Sequence, residues 1–280
     1  MTQSAPSLLQ DIQHFCKTKF TERSDYHLGK ACVKRRNRST MITKAHIIYA
    51  LLLYQYSGYR CFKWFYFKEM LGHSDPVRWP SYSWFLRLKK RVIGELFAYL
   101  KSQNITKTGV YYIDASALEV CHNKRISQHK TFKGKAERGR TSVGWFYGFK
   151  LHLIINDHGH LVDMCFTKGN CDDRVALDKM GKHLTGTLCG DKGYISRKRE
   201  NKLAKRGLRL LTKKRKNMQQ THLSQHEKEI LKRRGIIETV FGILKESLCL
   251  HSHKIRSITG FIIQALAALT AYQLKATKQI

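Results

Sequence analysis

The chain has 280 residues, enough for one large domain or two modest ones. A hydrophobic share of 42% supports an ordinary core, but 52 Lys and Arg against 20 Asp and Glu leave a net charge of +32. Such an excess repels itself within a compact fold; a polyanion relieves it, and nucleic acid fits better than an anionic membrane or a ribosomal setting.

The first region, to about residue 107, reads as helical. Leu8, Leu9, Ile12, Phe15 and Cys16 recur at helical spacing, as do Phe85, Leu88, Val92, Leu96 and Leu100. An aromatic run from Tyr54 to Phe67 lies between them. Residues 61–71, 72–80 and 81–101 read as helix, turn, helix, with Ser81 or Ser83 capping the second helix after Pro80. That helix would present Arg87, Lys89, Lys90 and Arg91. This is the layout of a DNA-reading helix-turn-helix, and equally that of a helical bundle with solvated basic residues.

The pattern changes near Lys107. Val110 to Ile113 is a short β-rich run ended by Asp114. The segment Cys121 to Arg140, with Lys124, Arg125, Lys130, Lys133, Lys135, Arg138 and Arg140, reads as a flexible loop beside that aspartate, placed to hold DNA, or else as a disordered basic loop. Trp145 to Ile155 and His160 to Thr167 form a hairpin about the turn 156–159. Asp173 to Leu184 is helical, Thr187 to Cys189 a strand ended by Gly190-Asp191, Ser196 to Arg206 a basic helix, and Leu208 to Thr212 a strand. Glu227 to Leu250 and Ile258 to Leu274 complete the chain as helices, in the order β-β-β-α-β-α-β-α-α. Residues 197–216 hold eleven basic side chains and one acid, a density suited to tracking a DNA backbone.

The eight cysteines are scattered and none forms a C-x-x-C pair, which disfavours a structural zinc site or a disulfide framework and fits a reducing cytoplasm. The N-terminus lacks the pattern of a signal peptide. The uncharged stretch 257–274 is interrupted by Gln264 and Gln273 and reads as a buried helix rather than a membrane span.

Acids are few, so those at strand ends need a reason. Asp114 and Asp191 each end a strand, and a pair of divalent metals would offset their repulsion and polarise a phosphodiester. On an unbroken helix Glu238 lies about 40° and Lys245 about 20° from Arg234, so the three share one stripe beside the apolar arc of Ile237, Val240, Phe241 and Leu244. Glu238 can then reach a shared metal site while Arg234 and Lys245 grip phosphate; alternatively Glu238 only pairs with Arg234 at i, i+4. Asp172 and Asp173 compete with Asp191 for the second carboxylate or cap the helix they precede. Lys150 is expected to face the site, and His152 to be packed or hydrogen-bonded.

The run Arg234-Gly-Ile-Ile-Glu238-Thr-Val-Phe-Gly-Ile-Leu-Lys245 resembles the glutamate-helix signature of DDE-type insertion-sequence transposases, except that Leu231 stands where that signature has tyrosine. Tyr-Ile-Asp114, Gly148-Phe-Lys150-Leu-His, Gly169-Asn-Cys-Asp172-Asp173 and Gly190-Asp191-Lys-Gly-Tyr194 extend the resemblance, which is to the insertion sequence 982 group of bacteria and covers residues 105–275 well. It implies an α/β, ribonuclease H-like mixed sheet with flanking helices over residues 108–280, preceded by an all-helical DNA-binding domain over residues 1–107. In such a sheet the strands of Asp114 and Asp191 are neighbours. It further implies a catalytic and metal-binding set of Asp114, Asp191 and Glu238 holding two Mg2+ ions, with Mn2+ as a substitute. DNA contacts would come from Lys133, Lys150, Lys192, Arg234 and Lys245. The implied substrate is double-stranded DNA, namely the terminal inverted repeats of the element and a target, handled by a homodimer at the nucleoid in the cytoplasm. Two other readings remain: a nuclease or junction resolvase of the same fold that cuts without joining, and a DNA-binding descendant that has lost catalysis.

Overall fold

The computed structural model describes residues 5–20, 42–72, 78–103, 105–214, 218, 222–250 and 255–278. The chain divides into two compact units. One comprises residues 1–103, 247–250 and 259–280, the other residues 104–246 and 251–258. These do not coincide with the consecutive segments 1–107 and 108–280. The last helix groups with the first unit, where the Tyr56 hydroxyl donates to the Ala271 carbonyl across 2.8 Å.

In the first unit the described residues form helices and no strand: α1 (Ala5–Phe20), α2 (Lys44–Tyr56), α3 (Phe62–Phe65) running into a π-turn (Tyr66–Met70), α4 (Tyr82–Leu88), α5 (Ile93–Ser102) and α10 (Ile258–Lys278). Thr43 caps α2, closing a capping box with His46, and Ser81 caps α4 by accepting from the Trp84 N–H. The aromatic run divides: Tyr54, Phe65 and Tyr66 are buried, with Tyr54 tilted against Phe65 and Tyr66 tilted against the buried Phe85, whereas Tyr56, Trp64 and Phe67 are exposed. The expected second helix is broken by a 3-10 turn at Lys89–Val92, and Lys89 lies over the Phe62 ring rather than projecting outward. Burial there pushes the Lys89 ammonium down to about 8. The turn expected between those helices falls partly outside the described residues.

The second unit is a six-stranded mixed sheet: β1 (Val110–Cys121), β2 (Glu137–Arg140), β3 (Trp145–Asn156), β4 (Leu161–Lys168), β5 (Gly186–Gly190) and β6 (Leu208–Thr212), with α6 (Asp173–Lys179), α7 (Arg197–Ala204), α8 (Gln225–Arg233) and α9 (Gly235–Gly242) around it. The order is β2-β3-β1-β5-β6, with β4 beside β3. β1 runs antiparallel to β3 and parallel to β5, and β5 runs parallel to β6.

Side chains alternate between faces along a strand, so register assigns them. Tyr111, Ile113, Ile154 and Leu188 point to one face and pack with Ala176 and Leu177 of α6 and Leu203 of α7. This is the core face. Tyr112, Asp114, Leu151, Leu153 and Cys189 point to the other, where α9 packs on β1. This is the carboxylate face.

Two expectations need correction. β1 does not stop at Ile113, because antiparallel pairing with β3 carries it on to Cys121 through an irregularity between Glu119 and Cys121. The segment expected to be a loop up to Arg140 ends instead in β2, a short edge strand. Three glycines make its junction with β3 and β4. A β-carbon on Gly148 would lie 2.0 Å from the Leu118 carbonyl oxygen, and one on Gly139 would lie 2.1 Å from that of Gly169. Among the described residues, no helix is long and apolar enough to cross a membrane, and seven cysteines are free thiols.

Candidate active site

Asp114 sits within β1 rather than at its end, at the point where its parallel neighbour stops. The registered pairs of β1 and β5 end at Tyr112 with Cys189. Two residues further along each chain segment come Asp114, still within β1, and Asp191, just past the end of β5, near enough for the charge of Asp191 to act on Asp114. Asp191 opens a 3-10 turn over Lys192–Tyr194 and is exposed. Asp114 is half-buried; its Oδ1 accepts from the Ala115 N–H at 2.8 Å.

Helix α9 brings the third carboxylate. The guanidinium of Arg234 reaches Asp114 Oδ2 at 3.6 Å and Glu238 Oε1 at 2.7 Å. One cation therefore spans two of the acids. The Glu238–Arg234 pair seen as an ordinary i, i+4 contact and the pair seen as part of a site are the same pair, because Arg234 also touches β1. The Asp114 carboxyl is pushed up to about 6: burial dominates, the Ala115 N–H and Arg234 oppose it, and the negative charges of Asp191 and Glu238 raise it further. Like charges thus converge on a half-buried acid, the arrangement associated with functional sites. Among the described residues, no three His, Cys, Asp or Glu side chains stand close enough to form a metal cage as they lie. The Arg234 guanidinium occupies the space between Asp114 and Glu238.

The helix bearing Glu238 is not the unbroken helix of the wheel. It turns at Arg234 between α8 and α9 and loosens into a π-turn at Ile243–Ser247. That wider turn shifts Lys245 off the expected stripe. Lys245 is half-buried, its ammonium pushed down by desolvation, and it makes no ion pair among the described residues. Leu231, at the tyrosine position of the signature, is buried in the core.

Lys150 corrects a further expectation. It pairs in register with Ala117, on the core face, and its Nζ donates to Asp173 Oδ1 and to the Cys171 carbonyl, both at 2.9 Å. It is an internal partner of the α6 N-terminus and does not face Asp114. Asp172 caps α6 and binds Arg174, so neither Asp172 nor Asp173 joins Asp114 as the Asp191 register position does. His152, also on the core face, is fully buried with its Nε2 2.8 Å from the Thr167 hydroxyl. Lys192 is exposed next to Asp191.

The basic loop is anchored on the carboxylate face. Phe132, buried at 1% exposure, packs edge-on against Phe149, and its carbonyl accepts from the Tyr147 hydroxyl at 3.2 Å. Lys124, Arg125, Lys130, Lys133 and Lys135 surround that anchor and are exposed. Of the basic run at 197–216, Arg199 and Lys202 are tied to Asp178, Arg209 is tied to Glu227, and residues 215 and 216 lie outside the described residues.

One residue had no role assigned from sequence. The Tyr194 ring is buried against Gly190, where a β-carbon would lie 3.1 Å from it, and its hydroxyl is buried without a hydrogen-bond partner. Burial pushes the phenol up, with Asp173, Asp114 and Asp191 adding to the rise. Tyr194 thus belongs to the apolar cluster of Tyr111, Ile113 and Leu188 on the core face and is not a member of the carboxylate site.

The fold is an α/β one, a six-stranded mixed sheet with helices packed against it and a group of carboxylates on one face. The family model for the transposase DDE domain matches residues 104–258, more than half of the chain, and the chain belongs to that family. Its fold is similar to that of a piggyBac transposase in a synaptic complex with hairpin DNA, with a TM-score of 0.55 and 9% sequence identity over 98% of this chain and 72% of that one. No curated protein matches the sequence.

Proposed function

We propose that this transposase cuts DNA at the terminal inverted repeats of its own insertion sequence and joins the freed 3′ ends to target DNA. We place it in the insertion sequence 982 group, acting as a homodimer on two DNA ends in the bacterial cytoplasm, with the helical N-terminal region as a DNA-binding domain. The observation that carries the reading is Arg234 bridging Asp114 and Glu238, with Asp191 at the end of the strand paired to that of Asp114.

Asp114, Asp191 and Glu238 would hold two Mg2+ ions, with Mn2+ able to substitute. Their all-oxygen donor set suits a hard divalent cation, and the Arg234 guanidinium held by Asp114 and Glu238 shows that these two acids together attract positive charge. When bound, such a pair polarises the phosphodiester and activates water or a DNA 3′ hydroxyl for in-line attack. The chain's own part is positional. The Ala115 N–H fixes one Asp114 oxygen. Arg234 orients Asp114 and Glu238 and, once released, is free to contact phosphate. Lys133, Lys192 and Lys245 contribute further phosphate contacts, and Lys150 holds Asp173 instead. No nucleophilic side chain is required, so cleavage and joining are one reaction with different nucleophiles.

The test is strand cleavage of duplex DNA carrying the element's ends, comparing the parent protein with Asp191→Asn in magnesium and in chelator. The expected outcome is magnesium-dependent cleavage at the repeat end, cut by about a thousandfold in the variant (~4 kcal/mol of barrier) while DNA binding survives. Binding without cleavage in either protein identifies a catalytically silent descendant, and cleavage without joining identifies a nuclease.

A further inference from the structure

The hairpin of β2 and β3 carries a cationic stack that the carboxylate site does not use. Arg140 pairs in register with Trp145 and Arg138 with Tyr147, so all of them point to one face. Both guanidinia lie over the Trp145 ring, at 5.0 Å for Arg138 and 5.8 Å for Arg140. An indole and two arginines in this relation hold each other in place, which lowers the entropy lost when a ligand binds them. Neither arginine has a carboxylate partner among the described residues, although Glu137 on the same strand is paired with Lys168. The indole is 52% exposed, and Val143 at the hairpin tip is 97% exposed. The ridge thus sets an exposed indole beside two guanidinia that no carboxylate among the described residues neutralises, a surface suited to a polyanion.

Register also fixes where the ridge lies relative to the acids. Trp145 is eight residues from Leu153, the cross-strand partner of Asp114, and an even separation keeps it on the carboxylate face. At a strand rise of about 3.3 Å the two points are roughly 26 Å apart along β3. The anchored basic loop fills the interval, with Lys133 and its neighbours exposed. One face therefore offers an acid cluster, a basic interval and a cationic ridge in line.

We propose that Arg138, Arg140 and Trp145 form a second DNA-contact site, which grips the backbone of the duplex about eight base pairs from the phosphodiester held at Asp114, at a rise of about 3.4 Å per pair. The guanidinia take phosphate oxygens, and the indole keeps them aligned. This rests on the transposase reading for the identity of the duplex, and charge complementarity selects DNA over a protein partner.

The test is the salt dependence of binding by the full chain, in chelator, to a labelled random-sequence duplex of about twenty base pairs, long enough to span both points. Two lost phosphate contacts should reduce the log–log slope of affinity against salt by about 1.8 in Arg138→Gln/Arg140→Gln. Trp145→Ala should weaken binding roughly tenfold, and Trp145→Phe, which keeps an aromatic face, should restore most of it. All variants should melt like the parent, since these side chains are exposed. A parental slope in the double variant overturns the proposal, as does a change in its oligomeric state alone, which would assign the ridge to a protein partner. Asp191→Asn should leave the slope untouched. Loss of cleavage with a parental slope in the arginine variant, or the reverse, therefore separates the failure of this site from the failure of the catalytic reading.

Discussion

The two faces of the one sheet treat charge in opposite ways. On the core face, Lys150 and Asp173 form a direct pair beside the α6 N-terminus, and His152 is buried with a hydroxyl partner. On the carboxylate face, Asp114 and Glu238 share a single guanidinium, Asp191 stands exposed beyond the end of the neighbouring strand, and the lysines of the anchored loop stand exposed. The same strands supply both: Lys150 and Leu151 are adjacent, yet one side chain serves stability and the other lies under the site. Unmatched charge concentrated on one face of a rigid sheet is what an external polyanion can complete, whereas matched charge on the other face keeps that sheet in shape.

The largest effect should come from breaking the scaffold common to both faces. A β-carbon at Gly148 meets the Leu118 carbonyl oxygen at 2.0 Å, and backbone cannot swing aside as a side-chain tip can. Gly148→Ala should therefore cost about 3 kcal/mol by chemical denaturation, at the upper end of overpacking penalties. It should also reduce cleavage, because β3 underlies Asp114. A variant as stable as the parent would mean that β1 and β3 can part locally without loss.

Next in size is a pH effect confined to the core face. Burial pushes His152 down to about 4, with Asp173 opposing and Lys150 assisting. Between about pH 6.5 and 4 the unfolded chain takes up a proton on this imidazole that the folded chain refuses, so stability should fall as pH drops through that window, by up to roughly 3 kcal/mol. Below the window both states are protonated and no further loss follows. His152→Gln should flatten this limb of the stability–pH curve; an identical acid limb in the variant would place its origin elsewhere.

Much of the carboxylate face was legible in the sequence, and the reasons are local. Asp191 follows a short apolar strand and a glycine, and Glu238 sits four residues from Arg234 on a helix with a clear apolar arc. Both features survive folding because they depend on neighbours in the chain. What was not legible depends on pairing across the sheet. β1 runs past Asp114 only because β3 is there to pair with it. Lys150 was expected at the site, but a single residue of register decides its face, and register is not a property of one strand alone. The π-turn that moves Lys245 off its stripe leaves no mark in composition. β2 did carry a signal: in Glu137-Arg-Gly-Arg140 the arginines alternate about a glycine, as on a one-sided strand, but the surrounding positive charge masks it.

Lys150 itself offers a sharper and smaller test of the contrast between the faces. Lys150→Met keeps the length of the side chain and removes the charge facing Asp173. It should cost on the order of 1–2 kcal/mol in stability, since Asp173 retains partial access to solvent. Cleavage per folded molecule should stay within severalfold of the parent. A loss comparable to that of Asp191→Asn would return Lys150 to the reaction and erase the division between the faces.

The smallest expected effect has the opposite sign, and it separates a site built for binding from one built for stability. The Asp114 carboxyl, raised to about 6, is held against burial and two like charges. As pH rises from the ordinary aspartate range towards 6, the unfolded chain releases this proton while the folded chain keeps it, so folding loses stability through that window and regains none above it. Asn at this position accepts the same Ala115 N–H without the charge. In chelator at neutral pH, Asp114→Asn should therefore unfold at higher denaturant, by about 1 kcal/mol after allowing for the lost 3.6 Å contact with Arg234. The same variant should lack cleavage. A variant that is both inactive and less stable would show that Asp114 is held in place chiefly by Arg234, and that the acids of this face are structural partners rather than a cluster kept under mutual repulsion for a cation to relieve.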